Sequence, residues 1–489
     1  MGKNTSGLPF VLPRRGAGVT ATRWLYEALR AEILEGRLRP GARLPATREL
    51  ASQYRVARGT VVAAFEQLAS EGYVEGSVGS GTFVNRVLPD ELLEVGRASA
   101  ARGVVATQAK RRVTAIANTP FDGLDVRRPR AFRTDLPAVD LFPTTLWAQL
   151  TARRQRRAPA SFFLGCEALG YPPLRAAIAD YLTSSRGVRC TASQIAIVSG
   201  TQEALDLTAR LVLQRGDRVC VEDPGYPGAW SIFAAAGARV VSVPVDAEGL
   251  QLRARLLRGA KLVYLTPAHQ FPTGATMGLA RRLELLDWAR DVGALLFEDD
   301  YDSEYRYSGR PIPALQGLDA HGLVLFAGTF SKVMFPSLRL AYLVVPPDLV
   351  AAFAGAISLT RRHAPLLEQA VLCDFIVDGH FGRHLRRMRQ IYGERLSVLL
   401  DRARAELAGA LTFSNVEAGL QTSAWLADGI DSEQLAAAAA SRNVEVGSLK
   451  RYARRALKRD GVQLGFAAVD AAEIRRGVRE LAIALERRK

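Results

Sequence analysis

Short apolar runs recur between Gln194 and Val344, with helix-length segments between most of them, and this alternation constrains the chain more than any other feature. The runs Gln194–Val198, Arg218–Val221, Lys261–Leu265, Ala294–Phe297, Leu323–Phe326 and Arg339–Val344 are each too short for a helix and read as buried strands. Strands separated by helices need crossover connections, so the pattern predicts an α/β unit with a largely parallel sheet covered on both faces. Such sheets bind ligands beyond the carboxyl ends of their strands, so the residues that follow each run are where chemistry is expected.

At 489 residues the chain exceeds the size at which one hydrophobic core stops growing, and a second unit is expected. It stands at the N-terminus. A helical period runs through Trp24, Leu25, Ala28, Leu29 and Ile33 and stops at Gly36. Leu44-Pro45 introduces a second helix with Arg48, Leu50 and Ala51, and a third starts near Arg58 and carries Val61, Val62, Phe65 and Leu68 to Gly72. Tyr73-Val74, the tip Gly79-Ser80-Gly81 and Thr82-Phe83-Val84 read as a β-hairpin. Three helices and a glycine-tipped hairpin match a winged helix-turn-helix, whose third helix enters the DNA major groove. That helix begins Ala57-Arg58-Gly59-Thr60, with a guanidinium and a hydroxyl at the end that favours phosphate or a base edge.

The formal net charge of +16 accords with a polyanionic partner such as nucleic acid. Hydrophobic residues at 48% and charged residues at 23% exclude a disordered chain. Four cysteines without a CxxC pair argue against a disulfide framework or zinc ribbon. The opening MGKNTSGLPFVLPRRG lacks the apolar core of a signal peptide, and the apolar stretch from Leu338 is interrupted by Arg339 and by Pro346-Pro347-Asp348. The expectation is a cytoplasmic protein without a membrane partner. Three segments follow: a DNA-binding domain over 15–86, a linker over 87–133 and an α/β domain over 134–489.

Three strand ends carry candidate chemistry. Ser199-Gly200-Thr201-Gln202 opens a helix, and backbone amides at a helix N-terminus form a phosphate site, although many βα turns look the same. Glu298-Asp299-Asp300-Tyr301-Asp302-Ser303-Glu304 clusters carboxylates, which suits either a cationic ring nitrogen or magnesium. Gly328-Thr329-Phe330-Ser331-Lys332 sets a lysine behind small hydroxyl residues, with Arg339 seven places on. A lysine, a carboxylate and a phosphate cup are what pyridoxal phosphate requires of a protein. His380 and His384 share a helix face as metal ligands can, but no third ligand has suitable spacing and no metal site is expected. Arg383, Arg386, Arg387 and Arg389 form either a solvated face or an extra DNA track.

The run LPATRELASQYRVARGTVVAAFEQLASEGYVEGSVGSGTFV resembles the winged helix of GntR regulators. GTFSKVMFPSLRLAYLVVPP resembles the lysine loop of fold-type I aminotransferases, and is most similar to those fused behind GntR domains, the MocR/GabR-type regulators. EALGYPPLRAAIADYL, SGTQEALDL, EDPGYPGA, TPAHQFPTG and EDDYDSEYRY extend the resemblance over most of the chain. It implies DNA contacts from Arg48, Arg58, Thr60 and the wing residues Gly79, Ser80, Gly81 and Thr82. It further implies pyridoxal 5'-phosphate as cofactor, with Lys332 as Schiff-base lysine and catalytic residue, Asp299 opposite the ring nitrogen and Tyr301 at the phenolic oxygen. Tyr226 would pack on the ring, and Thr201, Gln202, Ser331 and Arg339 would hold the phosphate.

There are departures. Ala46 stands where the family places a capping Ser, with Thr47 expected to take over the cap. Phe271 replaces an Asn of ordinary aminotransferases, Gln463 falls where they have an Arg, Gly228 where one relative type has an Arg, and Gly419-Leu420-Gln421 replaces Gly-Leu-His. Arg451 is the candidate for an effector's carboxylate. The reading that follows is a pyridoxal phosphate-dependent transcriptional regulator, a head-to-tail homodimer on double-stranded DNA, answering to an amine, an amino acid or the cofactor itself. The alternative is a working aminotransferase that carries a DNA-binding domain.

Overall fold

A computed structural model describes residues 12–16, 18–77, 81–86, 126–309, 313–413 and 416–486 of the chain, which divides into two units, Met1–Ala109 and Lys110–Lys489. In the first, helices α1 (Ala21–Leu34), α2 (Thr47–Tyr54) and α3 (Arg58–Ser70) precede a hairpin of β1 (Val74–Ser77) and β2 (Gly81–Val84). Thr20 caps α1 by accepting the Arg23 amide, and Gly36 and Gly72 follow α1 and α3 with φ of +74° and +81°, left-handed positions that glycine takes without strain. Leu25, Leu29, Ile33, Leu50, Val61 and Leu68 close the core between the helices. At α2 the cap differs from the expectation on Thr47. Ala46 is the N-cap and has no acceptor, Thr47 is already helical, and Glu49 instead takes the Ala46 amide at 3.2 Å. The hairpin pairs Gly76 with Thr82 and Ser77 with Gly81. Gly79 and Ser80 of the expected wing lie outside the described residues.

The second unit is built on an eight-stranded sheet in the order β3-β10-β9-β8-β7-β4-β5-β6. Its strands are β3 (Ile195–Val198), β4 (Arg218–Asp223), β5 (Arg239–Asp246), β6 (Gly249–Leu250), β7 (Ala260–Leu265), β8 (Leu295–Asp300), β9 (Val324–Thr329) and β10 (Ala341–Val344). Strands β9, β8, β7, β4 and β5 are parallel neighbours, as the crossovers demand. The run expected to start at Arg339 starts at Ala341 and is antiparallel to both β9 and β3, because no crossover helix separates it from β9. A smaller antiparallel sheet follows, ordered β11 (Leu411–Phe413), β12 (Gln421–Leu426), β14 (Gly461–Gly465), β13 (Gly447–Ser448). Ala131 and Phe132, inside the stretch read as linker, are fully buried, and Phe132 bridges to Gly465 of the small sheet. Among the described residues no helix is long and apolar enough to cross a membrane.

Candidate functional site

The first turn of α3 in the N-terminal unit has neither a side-chain cap nor an acidic residue, a local field that favours anions, whereas Glu49 occupies the first turn of α2. Arg48 and Arg58 are exposed at those ends, and the Arg58 Nε donates to Thr47 Oγ1 at 3.4 Å, joining them. Thr60 lies one turn into α3 and Thr82 on the hairpin, both half-buried. Arg43, which the sequence reading passed over, lies against the wing. A Cβ on Gly81, whose φ is +113°, would sit 2.7 Å from its guanidinium Nε, so the glycine lets that cation lie close against the hairpin.

In the second unit the strand ends gather the expected residues. β8 delivers Asp299, which is 4% exposed. Its Oδ2 accepts the Tyr264 hydroxyl of β7 at 2.8 Å, while its Oδ1 is buried with no partner among the described residues. Burial pushes this carboxyl up to about 7, with the nearby charge of Lys332 opposing the rise. One strand over, Lys332 follows β9, and its Nζ donates to the Asp135 carbonyl at 2.8 Å and to Asp135 Oδ1 at 3.0 Å. Asp135 is itself fixed by Gln421, which accepts its amide at 2.6 Å and donates to its carboxylate at 3.3 Å.

Gly200 opens the next helix, α4 (Thr201–Val212), presenting the amides at its start. Arg339 takes a left-handed φ of +51° just before β10, which brings its guanidinium over this turn: a Cβ on Gly200 would lie 3.4 Å from Nη2. Ser331 lies between Lys332 and Thr329, whose hydroxyl accepts the Ser331 amide at 3.2 Å. The Gln202 amide donates to the Tyr226 hydroxyl at 2.8 Å, across Gly228, where any Cβ would fall 1.9 Å from Gln202 Nε2. Tyr226, Tyr301 and Tyr452 all meet the ring of Phe271 edge-on, with centroids 5.9, 5.9 and 4.9 Å away. Arg282, fully buried, holds the loop behind Phe271 by donating to the carbonyls of Met277 and Pro267.

Tyr301 is half-buried, and its hydroxyl lies 3.1 Å from His269 Nδ1, which is also 2.9 Å from Asp302 Oδ1. His269 was missed from sequence although it lies in TPAHQFPTG, because nothing local tells a buried orienting histidine from a core one. The acidic cluster does not converge as a magnesium site would. Glu298 accepts the amides of Leu315 and Gln316, Asp300 pairs with Arg186 at 2.8 Å, and Asp302 faces His269. Among the described residues no three His, Cys, Asp or Glu side chains gather to hold a metal. His384 is turned inward onto the Val333 carbonyl, while His380 stacks on Phe375, so the two do not share a ligand.

Arg451 is exposed at the edge of the site, and the adjacent Tyr452 turns inward to Phe271. A cavity of about 810 Å³ lies beyond Asp223-Pro224 and Thr273-Gly274, lined by neither Lys332 nor Asp299. The residues present fit pyridoxal phosphate: a lysine, an unpaired buried carboxylate oxygen, a helix start with an arginine over it, and aromatic walls.

Residues 21–84 match the family described as "Bacterial regulatory proteins, gntR family", and residues 143–477 match "Aminotransferase class I and II". The chain is 40% identical to the "Probable rhizopine catabolism regulatory protein MocR" of Rhizobium meliloti, covering 96% of this chain and 94% of that protein. It is 32% identical to the HTH-type transcriptional regulator TauR of Rhodobacter capsulatus, covering 97% and 98%. The solved structure of LysN, the α-aminoadipate aminotransferase of Thermus thermophilus complexed with N-(5'-phosphopyridoxyl)-L-leucine, is 28% identical with a TM-score of 0.70, covering 77% of this chain and 96% of that one. The chain belongs to the MocR/GabR-type regulators, transcription regulators in which a GntR-family winged helix is joined to an aminotransferase class I and II domain.

Proposed function

We propose that this regulator holds pyridoxal 5'-phosphate on Lys332 and changes its DNA binding when an amine, or the cofactor itself, occupies the site. The unpaired Oδ1 of Asp299, buried one strand from Lys332, carries the reading: a buried carboxylate oxygen without a donor is costly, and a protonated ring nitrogen would satisfy it. When bound, the cofactor supplies an aldehyde carbon that an incoming amine can take over from a lysine. Thr201, Gln202, Ser331 and Arg339 would hold its phosphate, and Tyr226 and Tyr301 would confine the ring. A lysine released from the cofactor has a resting place, since Asp135 already receives its ammonium through both a carbonyl and a carboxylate.

Arg48, Arg58, Thr60 and the wing residues Gly79 to Thr82 would contact the operator, with Arg43 reinforcing the wing. Two such readers, one per subunit of a head-to-tail homodimer, would span two half-sites, and occupancy of the cofactor sites would set their spacing. A working aminotransferase would use the same lysine and carboxylate. Phe271 favours regulation, because a phenyl ring offers no hydrogen bond where ordinary aminotransferases have an amide.

The test is a footprint on the DNA upstream of the protein's own gene, with and without pyridoxal phosphate and added amines. A protected site that shifts with cofactor or amine in the wild type, and not in Lys332→Ala, is expected. Protection indifferent to both would leave a plain DNA binder, and keto-acid turnover without a specific site would leave an enzyme.

A further inference from the structure

Strands β12 and β14 turn one face toward the core and the other toward the lysine. Ala424, Leu426, Val462 and Leu464 belong to the first. Gln421, Ser423 and Gln463 stand on the second, all at most 3% exposed. Gln421 grips Asp135, the partner of Lys332, and Ser423 Oγ donates to the Pro272 carbonyl at 2.6 Å, next to Phe271. Gln463 lies directly opposite Ser423 in the register. A Cβ added at Gly447 would be 3.6 Å from both Gln463 Cβ and the Tyr452 hydroxyl, so these two side chains border the same space. The wall that faces the lysine is therefore a row of amides and hydroxyls that contains no cation. One of its groups is unsatisfied: Gln463 Oε1 is buried without a hydrogen-bond partner among the described residues.

We infer that this wall selects an amine carrying hydroxyl groups, with Gln463 meeting a hydroxyl, and selects against an amine carrying a carboxylate. A carboxylate taken out of water needs a cation to pair with, and Gln421, Ser423 and Gln463 offer it none. A hydroxyl both donates and accepts, so it satisfies either end of the Gln463 amide, whereas a carboxylate, which only accepts, leaves Oε1 unpaired. A site whose buried polar group is left unpaired by the wrong ligand discriminates strongly against it. The inference rests on the cofactor reading above, because the amine end of such a ligand would be held at Lys332.

The test uses matched pairs that differ only in a hydroxymethyl group for a carboxylate: serinol against L-serine, and the amino alcohol of γ-aminobutyrate against γ-aminobutyrate. Dissociation constants are read from calorimetry and from the visible spectrum of the full-length, pyridoxal phosphate-loaded protein. The amino alcohols are expected to bind at least about tenfold more tightly than their acids, the scale of one well-placed hydrogen bond. Gln463→Leu should erase that preference, and Gln463→Arg should reverse it, while both variants load cofactor like the wild type. Loaded wild-type protein that binds the acids as well as the alcohols, or ignores both, overturns this inference and leaves the cofactor assignment standing. Protein that takes up no pyridoxal phosphate overturns the cofactor assignment, and this inference with it.

Discussion

Replacing Asp299 by asparagine keeps the shape of the side chain and removes its charge, so it separates the cost of the buried carboxylate from its use. Burial lifts the Asp299 carboxyl to about 7, and a rise of that size above the ordinary range corresponds to roughly 4 kcal/mol against the ionised form. The folded protein holds a proton that the unfolded chain releases, so this group makes cofactor-free protein less stable as pH climbs from about 4 to about 7, with no further loss above. The amide of Asp299→Asn has no charge to bury, and its oxygen still accepts the Tyr264 hydroxyl. The cofactor-free variant is therefore expected to be more stable than the wild type near neutral pH, by up to about 4 kcal/mol, with the gap closing toward pH ~4. Glu304, also raised to about 7 by burial, is common to both proteins and cancels in the difference, whereas Glu222, raised to about 7 chiefly by burial and in part by the charge of Asp299, is relieved of that part in the variant and shifts the difference in the same direction. Pyridoxal phosphate binding should move the other way. Loss of a charge-assisted hydrogen bond to the ring nitrogen weakens it by about 1.5–3 kcal/mol, roughly 10- to 150-fold. Chemical denaturation of the cofactor-free proteins across pH, with cofactor titrations of each, measures both quantities. A variant less stable than the wild type near neutral pH, or one that binds cofactor equally well, would refute the reasoning.

Three further outcomes are expected. Arg58→Ala should weaken specific DNA binding by about 1–3 kcal/mol if Arg58 reads a base; mobility shifts at matched salt check this, and unchanged affinity would remove Arg58 from the interface. Gly228→Ala places a methyl 1.9 Å from Gln202 Nε2 and should break the Gln202–Tyr226 bond, lowering cofactor affinity by about 1 kcal/mol in a fluorescence titration. Arg186→Met strands the buried Asp300 carboxylate and should cost about 3–5 kcal/mol in denaturant-induced unfolding.

The alternation of strands and helices was legible because periodicity is a local property, and so was Lys332, held in a string with its own hydroxyl neighbours. Strand direction was less so. β10 is antiparallel because of what it pairs with, and Arg339 stays outside it because its backbone turns left-handed, neither of which a run of apolar letters records. The partners of the site were hidden by distance along the chain. Asp135 meets Lys332 across 197 positions and Gln421 across 286, and it stands just past the stretch read as linker, with no motif around it. His269 and Arg282 looked like ordinary residues until the loop they hold was seen beneath the aromatic cluster.

Borohydride reduction of full-length protein incubated with pyridoxal phosphate, followed by peptide mass mapping, addresses the central claim most directly. The account predicts a phosphopyridoxyl group fixed on Lys332, with none retained by Lys332→Ala. Label scattered over surface lysines, or none at all, would contradict it.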